Sequence, residues 1–290
     1  MADFNPRLTP ARPDLAAKQL EGKVQAAHFA EGTPYEVNDP EAPLRRTPES
    51  DAPLDTEALM GERVTVYEIT DEGWAWGQLE NDDYVGYLPA SALVPPALTR
   101  SHKVSAVRTL AFPGPSIKLP PLHGLPFGAR VELDRIEGAL AFTSAGYIPY
   151  RHLVPVADKG SDFIAVAERF LGSPYLWGGK TSLGIDCSGL VQIALNACGH
   201  HCPRDTDMQE AGLGQAVALS DLRRGDLVFW KGHVAIARDD ATIIHANAFH
   251  MAVAIEPVAE AIARIRAMGD RKSTRLNSSH IQKSRMPSSA

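Results

Sequence analysis

Two copies of one alternating pattern constrain the fold of this 290-residue chain more than any other feature. Each copy starts with Gly-x-Arg-Val, passes through Gly-Tyr-x-Pro and ends with Leu-Val-Pro, and the copies occupy residues 61–95 and 128–155. Within the first copy, polar and apolar residues alternate over short runs that Gly and Asp turns separate. Such runs are typical of antiparallel strands, and two copies are too few for a solenoid. The sequence therefore predicts two small β-barrels in tandem.

The pattern divides the chain into five predicted segments, which are a Pro-rich N-terminal segment at 1–55, a first barrel at 56–98, a second barrel at 99–157, a catalytic domain at 158–270 and a tail at 271–290. We expect the Pro-rich segment to wrap a domain surface or stay mobile, with short ordered pieces at 15–29 and 35–37. The tail is polar, Ser-rich and aperiodic, so we interpret it as non-native sequence.

The stretch 175–190 carries the residues most suited to chemistry. It reads Y-L-W-G-G-K-T-S-L-G-I-D-C-S-G-L, so a Gly-rich loop leads into Asp-Cys-Ser-Gly and then an apolar run with helical character. A thiol at a helix start lies in the positive field of the helix dipole, where unpaired N–H groups stabilise a thiolate or an oxyanion. His233 and His245 downstream can supply a general base and a group that orients it. The pattern predicts a cysteine hydrolase in which Cys187 and His233 form an ion pair at rest.

The surrounding pattern predicts an α+β, papain-like domain, with the cysteine on a helix and the histidines on strands. Residues 161–171 read as a helix with Ser161 as its N-cap, and Gly199 is expected to end the helix that follows Cys187. Four antiparallel strands and a final helix are predicted at 228–230, 233–237, 243–246, 251–255 and 258–265.

Composition and charge indicate which kinds of ligand the protein binds and in which compartment it works. The net charge of −6 disfavours nucleic acid, and an acidic chain suits a small soluble ligand better than an anionic polymer or lipid surface. No apolar run is long enough to cross a membrane, and no leader is recognisable. Three cysteines, an odd number, fit a reducing compartment better than a disulfide framework. We therefore expect a cytoplasmic protein.

Six ordered motifs make the domain at 158–270 resemble the NlpC/P60 cysteine peptidases. In chain order, the motifs are Pro174-Tyr175-Leu176-Trp177-Gly178-Gly179, Asp186-Cys187-Ser188-Gly189-Leu190-Val191, Pro203-Arg204-Asp205, Gly225-Asp226-Leu227-Val228-Phe229, Gly232-His233-Val234 and Ile244-His245-Ala246. The two barrels resemble bacterial SH3-like domains, in which the Gly-Tyr-x-Pro element closes the barrel. The whole arrangement is similar to the bacterial γ-D-glutamyl-L-diamino acid endopeptidases of the dipeptidyl-peptidase VI type, which recycle cell-wall peptides.

The resemblance implies a role for each candidate residue. Cys187 would be the nucleophile, His233 the general base and then acid, and His245 the group that orients His233. The implied substrate is a small free peptide that begins L-Ala-γ-D-Glu and continues with a diamino acid, and no cofactor is implied. The residues that we expect to bind it are Glu62, Tyr84, Tyr175, Trp177, Asp186, Ser188, Asp205 and Thr206. Among these, Asp205 and Glu62 would hold the substrate ammonium by charge-assisted hydrogen bonds.

Other interpretations stay open at this stage. An exported endopeptidase acting on intact wall, a catalytically silent binding module and an acyltransferase all fit parts of the sequence. A separate cluster, Cys198, His200, His201 and Cys202, contains metal-ligand residue types. Its histidines lie between the cysteines, which does not match the usual zinc spacing, so we predict no metal site.

Overall fold

A computed structural model describes residues 4–97, 99–267 and 278–279. The chain divides into two compact units. The first unit comprises residues 1–158 together with 177–182, and the second comprises residues 159–176 and 183–290.

Residues 4–97 of the first unit contain nine strands and two 3₁₀ turns. The strands are β1 (Leu15–Ala17), β2 (His28–Ala30), β3 (Thr33–Val37), β4 (Glu41–Arg45), β5 (Leu54–Leu59), β6 (Arg63–Ile69), β7 (Trp74–Leu79), β8 (Val85–Pro89) and β9 (Leu93–Val94), and the 3₁₀ turns are Lys18–Leu20 and Ala90–Ala92. Strands β3 to β9 form one antiparallel sheet in the order β5-β4-β8-β7-β6-β3-β9. The alternation in β6 is regular, since Val64 and Val66 are buried while Arg63 and Thr65 are half-buried.

This sheet takes in residues that we had assigned to the Pro-rich segment. Strands β3 and β4 lie before residue 56, the predicted start of the first barrel, and that position falls inside β5. Proline lacks the N–H that a ladder uses, so it is confined to strand starts, bulges and positions where one edge of the strand has no partner. Pro34 is the second residue of β3, and β4, which carries Pro43, joins β8 at a single residue pair. Both prolines therefore fit, although they read as loop in the sequence.

A second group of short strands follows in the same unit. They are β10 (His102–Val104), β11 (Arg108–Ala111), β12 (His123–Pro126), β13 (Arg130–Val131), β14 (Leu133–Glu137), β15 (Leu140–Thr143), β16 (Gly146–Pro149) and β17 (Leu153–Pro155), with a 3₁₀ turn at Tyr150–His152. They form small sheets in the orders β13-β10-β17, β11-β12 and β14-β15-β16. An apolar cluster that includes Val104, Leu125, Val131 and Ile148 is buried among them.

The two copies of the sequence repeat adopt matching structures. In the first copy Trp76 pairs with Tyr87 across β7 and β8, and in the second Phe142 pairs with Tyr147 across β15 and β16. Each Gly-Tyr-x-Pro strand runs into a single 3₁₀ turn and then a short final strand. The repeat therefore corresponds to a repeated structural element, as the alternation predicted.

Residues 177–182 belong to the first unit and include the short strand β18 (Lys180–Thr181). The Lys180 backbone N–H donates to the Glu57 carboxylate at 2.7 Å, and Lys180 Nζ lies 3.1 Å from Glu62 Oε2. Gly178 has a φ of +78°, and a Cβ there would lie 2.4 Å from the Leu54 carbonyl oxygen. A residue with a side chain could not occupy this position without displacing the backbone.

The second unit has the predicted α+β composition. Its elements are α1 (Phe163–Glu168), β19 (Gly184–Ile185), α2 (Cys187–Ala197), α3 (Thr206–Gly212), β20 (Ala216–Val217), a 3₁₀ turn (Leu219–Asp221), β21 (Leu227–Trp230), β22 (His233–Ala237), β23 (Thr242–Asn247), β24 (Ala252–Pro257), α4 (Val258–Ala267) and β25 (Ser278–Ser279). The main sheet has the order β20-β25-β21-β22-β23-β24. Helix α2 packs against β22 and β23, and α4 packs against β24. The cysteine helix and the histidine strands are therefore direct neighbours.

Two details of this unit differ from the sequence prediction. Asp162, not Ser161, caps α1, because its carboxylate accepts the backbone N–H groups of Ile164 and Ala165. The helix ends at Glu168, three residues before the predicted end at Leu171, and Leu171 is exposed. The predicted non-native tail lies outside the described residues, except for Ser278–Ser279 in β25. No helix within the described ranges is both long enough and apolar enough to span a bilayer.

We expect Gly178→Ala to destabilise the first unit by about 2–5 kcal/mol, because a left-handed φ and a backbone overlap each add a cost. Gly73→Ala is the matched control, since Gly73 also has a positive φ but a Cβ there would meet nothing within 4 Å. Urea unfolding of both variants checks the difference. Equal losses in the two variants would show that the contact with Leu54 is not restrictive.

Candidate active site

Asp186 fixes the start of the helix that carries the candidate nucleophile. It is the N-cap of α2, and its Oδ1 accepts the Gly189 N–H at 2.6 Å. An Asp at this position satisfies a donor that the helix leaves unpaired. Cys187 follows as the first residue of α2 and is buried, with only 7% of its surface exposed. The sequence D-C-S-G thus places the thiol at the positive end of the helix, as predicted.

A buried arginine holds the cap in place. Arg204, which is 1% exposed, donates from Nη2 to Asp186 Oδ2 at 2.8 Å and from Nη1 to Asp186 Oδ1 at 3.0 Å. The same Nη1 lies 2.9 Å from Ser188 Oγ. Removing one partner of such a buried ion pair typically costs about 3–5 kcal/mol, because it strands the other charge. We predicted Asp186 and Ser188 as substrate-binding residues, and the structure gives both side chains internal partners next to the thiol.

The environment of the Cys187 thiol opposes its ionisation. Burial raises the pKa of this thiol to about 11, and Asp186 contributes in the same direction. Hydrogen bonds from the Val234 and Ser188 N–H groups and from Thr206 act the other way but do not compensate. Thr206 Oγ1 lies 3.8 Å from Cys187 Sγ. The ion pair that we expected at rest is therefore disfavoured, because desolvation penalises the charged form of a group this deeply buried.

His233 lies beside the thiol as the first residue of β22. The next residue, Val234, donates its backbone N–H to the Cys187 sulfur, which places the histidine strand directly against the head of α2. Burial, followed by His245 and Arg264, lowers the pKa of His233 to about 3, so its imidazole is neutral at rest. His233 Nε2 lies 2.8 Å from His245 Nδ1. Nδ1 of His233 is then the nitrogen that can exchange a proton with the sulfur.

His245 continues this chain of contacts into the sheet. It is 1% exposed, and its Nε2 lies 2.7 Å from Glu256 Oε1. Burial lowers the pKa of His245 to about 4, although Glu256 acts in the opposite direction. Both Glu256 oxygens in turn accept hydrogen bonds from the two terminal nitrogens of Arg264. His233 and His245 are thus in direct contact, and Cys187 reaches the same strand through the Val234 N–H. Their catalytic roles stay a prediction.

Sequence reasoning missed Glu256 and Arg264. Across β23 and β24, His245 pairs with Ala254, so Glu256 two residues later projects from the same face of the sheet. The predicted strand stopped at residue 255, one residue before this carboxylate. Extending the alternation by one residue would have found Glu256. Nothing in the sequence points to Arg264, which reaches Glu256 from α4.

The remaining predicted binding residues of the second unit lie near the thiol. Tyr175 is half-buried, and burial followed by the charge of Cys187 raises the pKa of its phenol to about 12. Its hydroxyl therefore stays a hydrogen-bond donor at neutral pH. Asp205 is the N-cap residue of α3, and Thr206 begins that helix in contact with Cys187. Asp205 is therefore one residue away from a side chain that contacts the thiol, and its role in binding substrate stays a prediction.

Three predicted binding residues belong to the first unit. Glu62 is buried, accepts the Leu59 N–H at 2.9 Å and pairs with Lys180, a residue that the sequence analysis did not single out. Tyr84 is also buried, whereas Trp177 is 66% exposed. Their role in binding substrate stays a prediction.

We predicted no metal site in the cluster of Cys198, His200, His201 and Cys202. In the structure both histidines are exposed, Cys198 is half-buried and Cys202 is buried. Among the described residues, the ligand atoms that approach within 4.8 Å of one another belong to His245, His250 and Glu256. Glu256 is already bound by Arg264 and His245. A cation there would have to displace these hydrogen bonds.

We expect the rate of Cys187 alkylation by iodoacetamide to rise steadily from pH 6 to pH 10. The raised pKa of the thiol means that the reactive thiolate accumulates only as the pH approaches that value. The measurement is the rate of modification by mass spectrometry, with Cys187→Ala to identify the background from other thiols. A rate that is already constant between pH 6 and pH 8 would show that an ion pair with His233 exists at rest.

Comparison with known proteins identifies two matched regions of the chain. Residues 172–272 match the NlpC/P60 family, and residues 44–93 match the bacterial dipeptidyl-peptidase Sh3 domain. A γ-D-glutamyl-L-lysine dipeptidyl-peptidase of Bacillus cereus is 34% identical over 142 residues, which is 46% of this chain and 40% of that protein. A probable endopeptidase of Corynebacterium glutamicum is 40% identical over 101 residues, 34% of this chain and 48% of that protein. The matched region thus spans less than half the length of either relative.

The crystal structure of an NlpC/P60 family protein from Bacillus cereus matches with a TM-score of 0.70 at 21% identity, covering 87% of this chain and 100% of that one. At this identity the similarity shows the fold, which is the predicted papain-like domain behind SH3-like β structure. The motifs around the thiol and the two histidines supply the remaining support. Residues 172–272 are thus similar to the NlpC/P60 family of cysteine peptidases.

Proposed function

We propose that this chain is a cysteine peptidase that hydrolyses the γ-D-glutamyl–diamino acid bond of free cell-wall peptides with an unblocked N-terminal L-Ala. The observation that carries the catalytic part is the position of Cys187 at the head of a buried helix, where its sulfur accepts the N–H of Val234, the residue after His233, while His233 contacts His245. The substrate part is supported by a relative whose name is γ-D-glutamyl-L-lysine dipeptidyl-peptidase and by the match to the dipeptidyl-peptidase Sh3 domain.

The first chemical step follows from the neutral resting pair. Cys187 Sγ attacks the carbonyl carbon while its proton passes to His233 Nδ1, so that charge develops only as the S–C bond forms. The carbonyl oxygen becomes an oxyanion. The Cys187 and Ser188 N–H groups at the start of α2 and the Tyr175 hydroxyl are the donors available to it. Losing one such donor typically costs about 3–4 kcal/mol of transition-state stabilisation.

The second step returns the enzyme to its starting state. The tetrahedral intermediate collapses, the C–N bond breaks, and the proton on His233 goes to the leaving amine. The acyl group remains on Cys187 as a thioester. His233, neutral again, takes a proton from water as the water attacks the thioester, and the same oxyanion donors act a second time. The C–S bond then breaks, and the proton on His233 returns to the Cys187 sulfur. The products are the dipeptide acid and a peptide with a free amine.

Substrate selection is the more detailed part of the proposal. The ammonium group of L-Ala requires a carboxylate, and Asp205 at the start of α3 is the candidate in the second unit, beside Thr206 and the thiol. Glu62 and Tyr84 of the first unit are the further candidates that family resemblance suggests. Recognition of a free amine would exclude intact wall, in which this alanine is acylated. We further propose that the protein acts in the cytoplasm, which the three free cysteines support.

We expect Cys187→Ala to abolish release of the diamino acid from L-Ala-γ-D-Glu-diaminopimelate, because no other group can form the thioester. The matched control is Cys198→Ala, which removes a partly exposed thiol outside the site and should retain full activity. Product analysis by mass spectrometry checks both variants. Turnover by Cys187→Ala would exclude the nucleophile assignment.

N-acetylation of the substrate alanine should lower kcat/KM by about 100-fold or more, since the charge-assisted hydrogen bond between its ammonium group and a carboxylate is lost. The comparison uses free and acetylated tripeptide side by side, with intact sacculi as a third substrate. Equal rates on the two peptides, or cleavage of sacculi, would favour a wall endopeptidase over the proposed recycling enzyme.

A further inference from the structure

Glu256 and Arg264 form a largely buried ion pair next to the predicted catalytic residues. Neither residue is one of the three to which the proposed mechanism gives a role, Cys187, His233 and His245. Glu256 Oε1 lies 2.7 Å from His245 Nε2, and the Arg264 guanidinium binds both carboxylate oxygens. The Glu256 side chain is 6% exposed. Because both carboxylate oxygens are hydrogen-bonded, the side chain of Glu256 is held in one orientation towards the His245 imidazole.

The protonation state of Glu256 is settled by its partners. Burial alone opposes ionisation, but the Arg264 hydrogen bonds and the neighbouring His245 outweigh it and lower the pKa of Glu256. The guanidinium is itself held in place, because it packs over the Phe249 ring at 4.3 Å from the centroid. The other ionisable groups that act here are His250, which influences His245, and Glu260, which influences Arg264. Glu256 is therefore a hydrogen-bond acceptor only.

An acceptor at this position determines where every proton in the chain of imidazoles lies. A neutral histidine carries one N–H, so His245 must place its proton on Nε2, towards Glu256. Its Nδ1 is then an acceptor, and the contact at 2.8 Å requires His233 to carry its proton on Nε2. His233 Nδ1 is consequently unprotonated, and it is the nitrogen that must accept the proton of Cys187.

We propose that Glu256, held by Arg264, is a positioning residue that acts through His245 to fix the tautomer of His233 in which Nδ1 can serve as the general base. The pair also stabilises the imidazolium that forms on His233 during attack, because the new charge is connected to a carboxylate through His245. This role rests on the proposed peptidase activity, but the tautomers themselves do not, and they can be measured in the absence of substrate.

The decisive variant is Glu256→Gln, which keeps the shape but lets an amide N–H donate to His245 Nε2. His245 then protonates on Nδ1, and His233 is forced to carry its proton on the nitrogen that faces the thiol. A wrong tautomer of this kind lowers kcat by up to about 10⁴-fold in serine proteases, and we expect a fall of about 10²–10⁴ here with little change in KM. Glu168→Gln is the matched control. It weakens another carboxylate–guanidinium pair of the same unit, with Arg238, and should retain activity.

The readout that separates positioning from simple structural support is ¹⁵N NMR of labelled histidines. The wild type should show His245 and His233 protonated on Nε2, and Glu256→Gln should show His245 protonated on Nδ1. Unchanged tautomers in that variant, or a kcat within threefold of wild type, would overturn the proposal. If the wild type cleaves none of the peptides tested, the proposed function fails, whereas the NMR result still decides this inference.

Arg264→Gln provides a second test should Glu256→Gln fail to fold. Loss of the guanidinium removes the hydrogen bonds that keep the pKa of Glu256 low, so the carboxylate protonates at higher pH. Because only the ionised form fixes the tautomer, the acidic limb of the kcat profile should move to higher pH while the plateau at high pH is largely kept. A profile that falls uniformly at all pH values, with no shift of the limb, would contradict the positioning role.

Discussion

The buried ion pair between Arg204 and Asp186 is the interaction on which the catalytic unit depends. It fixes the residue that caps α2, and the cap determines where the helix starts and therefore where the Cys187 sulfur lies. Ser188 is held by the same guanidinium. A thiol one turn later in the helix would lose both the dipole field and the unpaired N–H groups that suit an oxyanion. The position of the sulfur is thus set by this polar cap together with the apolar packing of α2 against the sheet.

Burial has opposite consequences for the two halves of the catalytic pair. It raises the pKa of Cys187 and lowers that of His233, so both groups are neutral until a substrate arrives. The enzyme therefore avoids a standing charge in a desolvated site, and the proton transfer accompanies bond formation. The resting thiol is correspondingly less exposed to adventitious alkylation or oxidation at neutral pH, since the thiolate is the reactive form.

The sheet that carries the histidines supplies the candidate general base and the groups that orient it. His233 and His245 lie on neighbouring strands, and Glu256 lies on the next strand along. Antiparallel pairing brings the three side chains to one face, and α4 closes the row with Arg264. The Glu256 carboxylate accepts a hydrogen bond at the end of this row, and this acceptor determines which nitrogen of each imidazole carries the proton. The structure thus connects a carboxylate on the outer strand to the nucleophile through two imidazoles.

The sequence by itself determined the local elements and the identity of the reacting groups. Asp186 before an apolar run indicated the helix start, Gly199 indicated its end, and alternation indicated the strands that carry His233 and His245, because these signals are local and short in range. It also indicated a repeated β element and the ordered piece at 35–37 that lies in β3, although Pro43 hid β4. Only the tertiary structure decided the ionisation of Cys187, the internal role of Arg204 and the partnership of Glu256 with Arg264. These three features depend on desolvation and on contacts between residues that are distant in the chain. A local sequence pattern predicts neither the extent of burial nor such long-range contacts.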